Sequence, residues 1–570
     1  MSHPLLTSVA SLQITPQHDN KTALVFIEGD HETRYTFGEL RAQVRRCGHA
    51  LRAAGIQRGQ LVVLVIPHRL ELVYHFWGAL HIGAVPSIFP FLSDKLNPER
   101  YFDSVRRLVQ HSGVRAVITT RDFEGALQTT LTGIDVLLLT LEQFAGANAA
   151  PENGDTPLAD AHDLAFLQHS SGSTGLQKGV MLAHGAVLRQ LTSYAQAIQL
   201  DNDDVIVSWL PLYHDMGLIA GFILPLLAGV KLVLMSPFQW VRDPKILLRA
   251  IQRHRGTLCW LPNFAYNFLA TRIRDKDLDG LDLSSMRAFI NCSEPVYAES
   301  HRLFAERYAA YGLRADALQT CYAMAENVFA VTQSAFGTAP KIDIVDRRAL
   351  MDEQRALPAS GAAPALTLVS NGAPIAGCRV RIVDMQRQDL PERHVGEIAI
   401  HSASLMDGYY RRPEESAAVM SDGWYFTGDM GYLAAGELYI TGRKKDLIIV
   451  GGKNIYPQDI ENLLNDISGL HPGRASAFGV PNAQLGTEDI AIVAEVDASA
   501  LDDDDRRAAI QREIRARVAQ NTDMIARYVH LVSAKWLIKT SSGKIARSAN
   551  RDKFLQEVLN ADETPNASLL

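Results

Sequence analysis

The sequence predicts an α/β protein: a large N-terminal domain of two α/β subdomains plus a small β-barrel-like region, then a small α+β C-terminal domain. Three observations predict it. Short apolar runs alternate with helical stretches over the first half of the chain, the order that builds a mostly parallel sheet. After Val369 the texture changes to short strands broken by turns. A polar cluster, Thr441-Gly442-Arg443-Lys444-Lys445-Asp446, then interrupts the apolar pattern, and a fresh α+β pattern follows it. The boundary is placed at Lys445, giving domains 1–444 and 445–570.

Thr36-Phe37-Gly38-Glu39 has capping-box spacing, and Leu40, Val44 and Leu51 follow at roughly helical intervals, so a helix opens there. Residues 60–67 are a β-like apolar run and 69–83 read as a helix. Residues 84–88, 114–119 and 134–139 look like buried strands, and the alternation continues through 205–210, 231–235 and 286–291. The longest apolar run, 216–230, is broken by Pro225 and by glycines. A membrane span needs about 20 residues, so this run is expected in the core. Gly337-Thr-Ala-Pro and Pro358-Ala-Ser-Gly-Ala-Ala-Pro are turn chemistry, with a short helix expected between them around 347–355. Short strands are expected at 379–383, 397–401, 424–427 and 437–441. Beyond the polar cluster, 457–464 opens a helix and 489–496 reads as a strand. Residues 503–520 form an amphipathic helix with Ile510, Ile514 and Val518 in i+4 register.

The chain has 570 residues, 47% of them hydrophobic, enough for more than one buried core. Lys plus Arg is 56 and Asp plus Glu is 63, a net charge of -7, which argues against a nucleic-acid binder held by bulk charge. Cys47, Cys259, Cys292, Cys321 and Cys378 are far apart and form no C-x-x-C pair, so neither a zinc site nor a disulfide framework is expected. No signal peptide is read at the N-terminus, and a reducing, cytoplasmic location is the expectation.

Leu167-Gln-His-Ser170-Ser-Gly-Ser173-Thr174-Gly175-Leu-Gln-Lys178-Gly179 is the stretch that points to chemistry. Glycines let backbone N–H groups turn inward as an anion nest, hydroxyls add donors and the lysine adds charge. It is neither the common P-loop, since Gly172 and four further residues lead to Gln177, nor a Gly-x-Gly-x-x-Gly turn. Five further segments follow in order: Trp209-Leu-Pro-Leu-Tyr-His214-Asp-Met-Gly, Gln319-Thr-Cys-Tyr322-Ala-Met-Ala-Glu326, Tyr425-Phe-Thr-Gly-Asp429, Thr441-Gly-Arg443-Lys-Lys445-Asp and Lys539-Thr-Ser-Ser-Gly-Lys544.

Together these resemble the phosphate loop, acyl-pocket gate, Tyr-Gly-x-Thr-Glu motif, Thr-Gly-Asp motif, interdomain hinge and catalytic-lysine motif of adenylate-forming enzymes. That superfamily contains acyl-CoA synthetases, peptide-synthetase adenylation domains and luciferases. Tyr213-His-Asp-Met-Gly-Leu, Met235-Ser-Pro, Pro262-Asn263-Phe264-Ala-Tyr266, Asn291-Cys-Ser293-Glu-Pro295 and Tyr456-Pro-Gln-Asp-Ile look like its fatty acyl-AMP ligase branch. That branch carries an insertion after the motif glutamate, and residues 331–368 sit where it belongs. Ala323, Ala325 and Asn371 depart from the glycine, threonine and cysteine usual there.

The resemblance implies ATP-dependent activation of a fatty acid to an acyl-adenylate with release of pyrophosphate. The acyl group then passes to the phosphopantetheine thiol of an acyl carrier protein, the insertion disfavouring coenzyme A. It implies ATP and Mg²⁺ as cofactors. Ser170, Ser173, Thr174, Gly175 and Lys178 would hold the β- and γ-phosphates, with Ser293 near the nucleotide. Glu326 and Thr174 would hold Mg²⁺, Tyr322 would lie on the adenine, Asp429 would accept the ribose hydroxyls, and Arg443 would support the ribose or α-phosphate. Lys544 would bridge carboxylate and α-phosphate, His214 would gate the acyl pocket, Lys445 would be the hinge, and Phe222, Asn263 and Phe264 would line the pocket. Arg547, Arg551 and Lys553 could meet an acidic carrier protein.

Three alternatives stay open on sequence alone. An acyl-CoA synthetase shares everything except the acceptor. A free-standing amino-acid adenylating enzyme could use Asp215 for the substrate amine, although Phe222, Ile223, Leu224, Phe264 and Phe268 point to apolar surroundings. A catalytically dead scaffold is disfavoured by the joint presence of Lys178, Glu326, Asp429 and Lys544.

Overall fold

The computed structural model describes residues 19–93, 98–144, 159–169, 178–360, 365–450, 453–482, 487–522, 524–540 and 543–559. Its N-terminal part holds two parallel sheets. The smaller runs in the order Val85–Ile88, Leu61–Leu64, Ala116–Thr119, Leu137–Thr140, every neighbour parallel. The larger has nine strands, and its parallel centre is Leu318–Ala323, Ala288–Cys292, Leu258–Leu261, Val205–Ser208, Lys231–Met235 and Thr22–Glu28. Strands covered on both faces read as near-continuous apolar runs, and Leu258–Leu261 and Ala288–Cys292, the latter apolar but for Asn291, are buried at every residue.

The helix expected from the capping box spans Phe37–Ala53, with the Thr36 side chain accepting from Glu39 N and the Glu39 side chain accepting from Thr36 N. Residues 216–223 are wholly buried, as expected, but as a π-helix, Met216–Ile223, rather than an α-helix. Such segments recur at functional sites. Gly217 and Gly221 allow the turns to pack: a Cβ on Gly217 would lie 2.2 Å from the Pro211 carbonyl oxygen, and one on Gly221 2.6 Å from Ser208 Oγ.

A five-stranded antiparallel sheet follows, built from Cys378–Val383, Gly396–Ser402, Trp424–Ala434, Met420–Ser421 and Glu437–Arg443. The last part of the chain forms a three-stranded sheet of Leu470–Asn482, Thr487–Val496 and Ala526–Val532. Helices Pro457–Leu463 and Asp504–Thr522 accompany it, and Ile510, Ile514 and Val518 are the buried face of the second. This region has its own apolar cluster, from Ile448 to Leu531.

The described residues of 331–368 hold more secondary structure than their turn chemistry predicts. Residues 330–333 join the large sheet as strand Ala330–Gln333. The excursion beyond it is a hairpin of Ile342–Asp346 and Ala365–Val369 carrying the short helix Arg347–Asp352. The excursion touches the C-terminal part. Met351 packs on its apolar cluster, Asp352 pairs with Lys453 at 3.3 Å, and Arg347 donates to the Asn521 carbonyl.

Candidate active site

The candidate site residues leave the carboxyl ends of parallel strands of the large sheet, where open α/β sheets place their ligands. Val205–Ser208 leads to Trp209 and His214. Ala288–Cys292 leads to Ser293. Leu318–Ala323 carries Tyr322 and leads to Glu326. Two backbone conformations mark this edge. Ser293 sits at φ 70° and Val328, two residues past Glu326, at φ 63°. A left-handed conformation is costly for a β-branched valine and persists only where the surroundings impose it.

Lys544 comes from the far end of the chain, yet its Nζ donates to the Ser293 carbonyl oxygen. Burial lowers its pKa, with Glu294 and Asp215 pulling the other way. His214 Nδ1 lies 2.6 Å from Asp215 Oδ1, which also accepts from Met216 N at 2.7 Å. Burial acts to raise the Asp215 pKa, but His214, Met216 N–H and Lys544 together hold it below the usual value. Asp215 is thus already engaged by its neighbours, unlike an acid kept for a substrate amine.

Asp429 and Arg443 face each other directly in the register of the Trp424–Ala434 and Glu437–Arg443 strands. Arg443 Nε donates to Asp429 Oδ1 at 2.9 Å and the Tyr322 hydroxyl donates to Oδ2 at 2.6 Å. A carboxylate offers roughly four lone-pair positions. One on each oxygen is taken, leaving one on each for a pair of neighbouring hydroxyls.

Glu326 accepts from the Tyr409 hydroxyl at 3.0 Å, and burial raises its pKa. Lys178 Nζ stands 4.4 Å above the ring of the same Tyr409 and pairs with Glu415 at 2.8 Å. Strands Leu164–His169 and Gly179–Ala183 pair antiparallel up to His169 opposite Gly179, so the glycine-rich stretch is the connection between two buried strands. Ser170, Ser173, Thr174 and Gly175 lie outside the described residues. Tyr409 and Glu415 were missed in the sequence because each meets its partner across more than 80 residues of chain.

The expected pocket residues separate. Phe264 is 43% exposed, with its ring edge-on to Trp209 and Trp240. Asn263 is buried and its amide is consumed internally: Nδ2 donates to Ser300 Oγ, and Oδ1 accepts from Asn291 Nδ2 and Tyr297 N. Phe222 packs its ring on Phe76 and Trp77 of helix Leu70–His81.

Lys445 lies in the exposed turn Lys444–Asp446 that joins the antiparallel sheet to the C-terminal part. That junction is closely packed. A Cβ on Gly442 would lie 2.5 Å from Tyr456 Cδ1, the Tyr456 hydroxyl meets Thr441 Oγ1 at 3.1 Å, and Gln458 Nε2 donates to Thr441 O. Arg547 is turned inward rather than toward a partner, bonded to Glu461 at 2.8 Å and to Asp446 at 3.1 Å. Lys553 likewise lies over the Trp536 ring and donates to Trp536 O.

Among the described residues no helix is long and apolar enough to cross a membrane, and no cluster of three His, Cys, Asp or Glu residues could hold a metal ion.

The AMP-binding enzyme family matches residues 13–410. The chain is 32% identical over 522 residues to 4-hydroxyphenylalkanoate adenylyltransferase of Mycobacterium tuberculosis, covering 87% of this chain and 82% of that one. It is 32% identical over 524 residues to a medium-chain-fatty-acid–acyl-carrier-protein ligase, JamA, of Moorena producens, covering 89% and 87%. A solved structure from work on fatty acyl-adenylate ligases of E. coli and L. pneumophila superposes with a TM-score of 0.89 at 28% identity, over 97% of this chain and 98% of that one. Family, fold and relatives agree with the six motifs, and the chain belongs to the AMP-binding family of adenylate-forming enzymes, in its fatty acyl-AMP ligase branch.

Proposed function

We propose that the protein condenses a fatty acid with ATP to an acyl-adenylate and pyrophosphate, then hands the acyl group to the phosphopantetheine thiol of an acyl carrier protein. The observation that carries this reading is Lys544. A lysine from the C-terminal part reaches the Ser293 carbonyl beside the His214–Asp215 pair. In the first step a carboxylate oxygen attacks the α-phosphorus and the bond to the bridging oxygen breaks, so pyrophosphate leaves. Two anions must meet, and a pre-positioned ammonium stabilises the charge that develops between them. Asp429, with one lone pair free on each oxygen, would take the ribose hydroxyls. Tyr322 and Arg443 hold that carboxylate in place. Lys178 and the loop hydroxyls of Ser170, Ser173 and Thr174, with the backbone at Gly175, would hold the leaving phosphates.

Glu326 fits a hard cation: it is a carboxylate, its pKa raised by burial, that accepts from the neutral phenol of Tyr409. With Thr174 it would hold Mg²⁺, which neutralises charge on the phosphates when bound.

In the second step the thiol sulfur attacks the acyl carbonyl, the mixed-anhydride bond breaks and AMP leaves. Lys544 occupies the approach, so residues 445–570 must first swing about Lys445, a rigid-body rearrangement with few hinge residues. The excursion beyond Gln333 supports a carrier-protein acceptor over coenzyme A, because its helix Arg347–Asp352 is fastened to the part that has to move. The test is pyrophosphate release with ATP, Mg²⁺ and a panel of acids, followed by addition of a phosphopantetheinylated carrier protein or coenzyme A. Adenylate that transfers to the carrier and not to coenzyme A is expected; rapid acyl-CoA formation would overturn the acceptor assignment.

A further inference from the structure

The chain has five cysteines and no C-x-x-C motif, yet the fold sets two of them side by side. Cys292 ends strand Ala288–Cys292, Cys321 lies near the end of strand Leu318–Ala323, and the two stand opposite each other in the register of that parallel pair. Residues paired in this way project to the same face of the sheet. Neighbouring strands run about 4.8 Å apart, within the roughly 4.4–6.8 Å between Cα atoms that a disulfide spans. Both residues are free thiols, 0% and 1% exposed. Burial pushes the Cys321 thiol up, and the adjacent Cys292 thiol adds to the rise. Cys259, on the next strand, faces Phe289 and does not join them.

The pair lies directly behind the candidate active site. Ser293 Oγ donates to Cys292 Sγ at 3.7 Å, and Ser293 is half-buried, so a small molecule in the site is one side chain away from this sulfur. The residues that follow the two cysteines both serve the site: Ser293 offers its carbonyl to Lys544, and Tyr322 donates to Asp429. A cysteine by itself packs as a small hydrophobe. Two thiols in register at the edge of a site add what one cannot supply, a resolving partner for an oxidised sulfur.

We infer that Cys292 and Cys321 are an oxidation site that closes to a disulfide under peroxide and suppresses adenylate formation. The crosslink is independent of the proposed activity; its effect on rate rests on that reading. The Cys292 sulfur, as thiolate, attacks one peroxide oxygen, the O–O bond breaks, and a sulfenic acid and water result. The Cys321 sulfur then attacks the sulfenic sulfur, the S–O bond breaks, and the hydroxyl leaves as water with the Cys321 proton. The two thiols lose two electrons and peroxide is reduced to two waters. A disulfide holds its Cβ atoms at about 3.8 Å, closer than the strand spacing of about 4.8 Å. Closing it therefore shifts the two strand ends, and Ser293 and Tyr322 with them. Misplacement of positioning groups by about 1 Å costs roughly 10²-fold in rate.

The experiment treats the full-length protein with hydrogen peroxide, alkylates the remaining thiols under denaturing conditions and maps the peptides by mass spectrometry, with pyrophosphate release followed in parallel. A linked pair of Cys292 and Cys321 peptides is expected, together with a fall of about 10- to 100-fold in pyrophosphate release that dithiothreitol reverses. Cys321→Ala should form no crosslink, should hold Cys292 as a sulfenic acid that dimedone traps, and should keep most of its rate at peroxide doses that silence the wild type. Wild-type protein whose two cysteines stay reduced, or reach sulfinic acid without a crosslink, overturns the inference even if the variant fails to fold. Equal inactivation of a folded Cys321→Ala overturns it, as does a crosslinked wild type that releases pyrophosphate at the untreated rate. If untreated protein releases no pyrophosphate with any acid, the proposed activity fails, and the peptide map still decides the crosslink.

Discussion

The Tyr322 hydroxyl donates a 2.6 Å hydrogen bond to Asp429 Oδ2, which ties the end of a parallel strand in the large sheet to a central strand of the antiparallel sheet. The bond aims a carboxylate that strand pairing has already set opposite Arg443. Tyr322→Phe keeps the ring and loses the donor. A single hydrogen bond to a charged acceptor is worth about 1.5–3 kcal/mol, so KM for ATP should rise roughly tenfold with kcat little changed. Asp429→Ala should raise it further. An unchanged KM in both variants would remove this pair from nucleotide binding.

Lys544 touches the site through one atom, so its variants separate binding from chemistry. Lys544→Ala should retain ATP binding, read by calorimetry, and lose acid-dependent pyrophosphate release by about 10²–10³-fold, the usual scale for one electrostatic contact to a transition state. Its ability to consume externally supplied acyl-adenylate with a carrier protein should persist, because that step requires the lysine to be elsewhere. Normal pyrophosphate release would exclude the residue from the mechanism.

Tyr409 serves two neighbours by different parts of its side chain: the hydroxyl meets Glu326 and the ring lies under Lys178. Tyr409→Phe should therefore raise the Mg²⁺ concentration needed for half-maximal rate while sparing KM for ATP. Tyr409→Leu should raise both. Glu415→Gln removes the counter-charge that Lys178 must leave to meet a phosphate, so KM for ATP should fall by a few-fold. A rise in KM for that variant would show that Glu415 positions Lys178 rather than competing for it.

The parallel strands were legible because burial on both faces makes them continuous apolar runs, and Asp429 and Arg443 were legible because their motifs are local. Strand His31–Thr36 was not, since it is a polar edge strand with no buried residue to set a period. Nor was the hairpin Ile342–Asp346 with Ala365–Val369, whose strands are mostly exposed and separated by a helix and loop. Tyr409 carries no sequence signal because its partners Glu326 and Lys178 are far away in the chain. Arg547 read as a basic surface residue for the same reason: Glu461 and Asp446, which bury its charge, are 86 and 101 positions distant.

Closure of the C-terminal part depends on Gly442, where a methyl group would collide with Tyr456 and Gln458. Gly442→Ala should lower acid-dependent pyrophosphate release while sparing transfer from supplied acyl-adenylate. Lys445→Pro should do the reverse, because a proline restricts the dihedral change of a swing without obstructing the closed arrangement. Equal loss of both steps in Lys445→Pro would count against a hinge at this position.

The same closed arrangement has a pH dependence. Asp459, on helix Pro457–Leu463, has its carboxyl pushed from 3.8 up to about 7, chiefly by burial, with Glu461 adding to the rise and Arg347 of the excursion opposing it. A raised folded-state pKa means that the folded protein holds a proton the unfolded chain has released. The associated stability is fully present below about pH 4 and is lost as pH rises through 7. Melting temperature should therefore decline between pH 5 and pH 8 more steeply in the wild type than in Asp459→Asn, whose amide cannot ionise. The difference should widen in Arg347→Ala: the carboxyl loses the cation that opposes its rise, titrates still higher, and holds a proton the unfolded chain has released over more of the range. Parallel pH profiles for wild type and Asp459→Asn would mean that the carboxyl is solvated and ionised throughout.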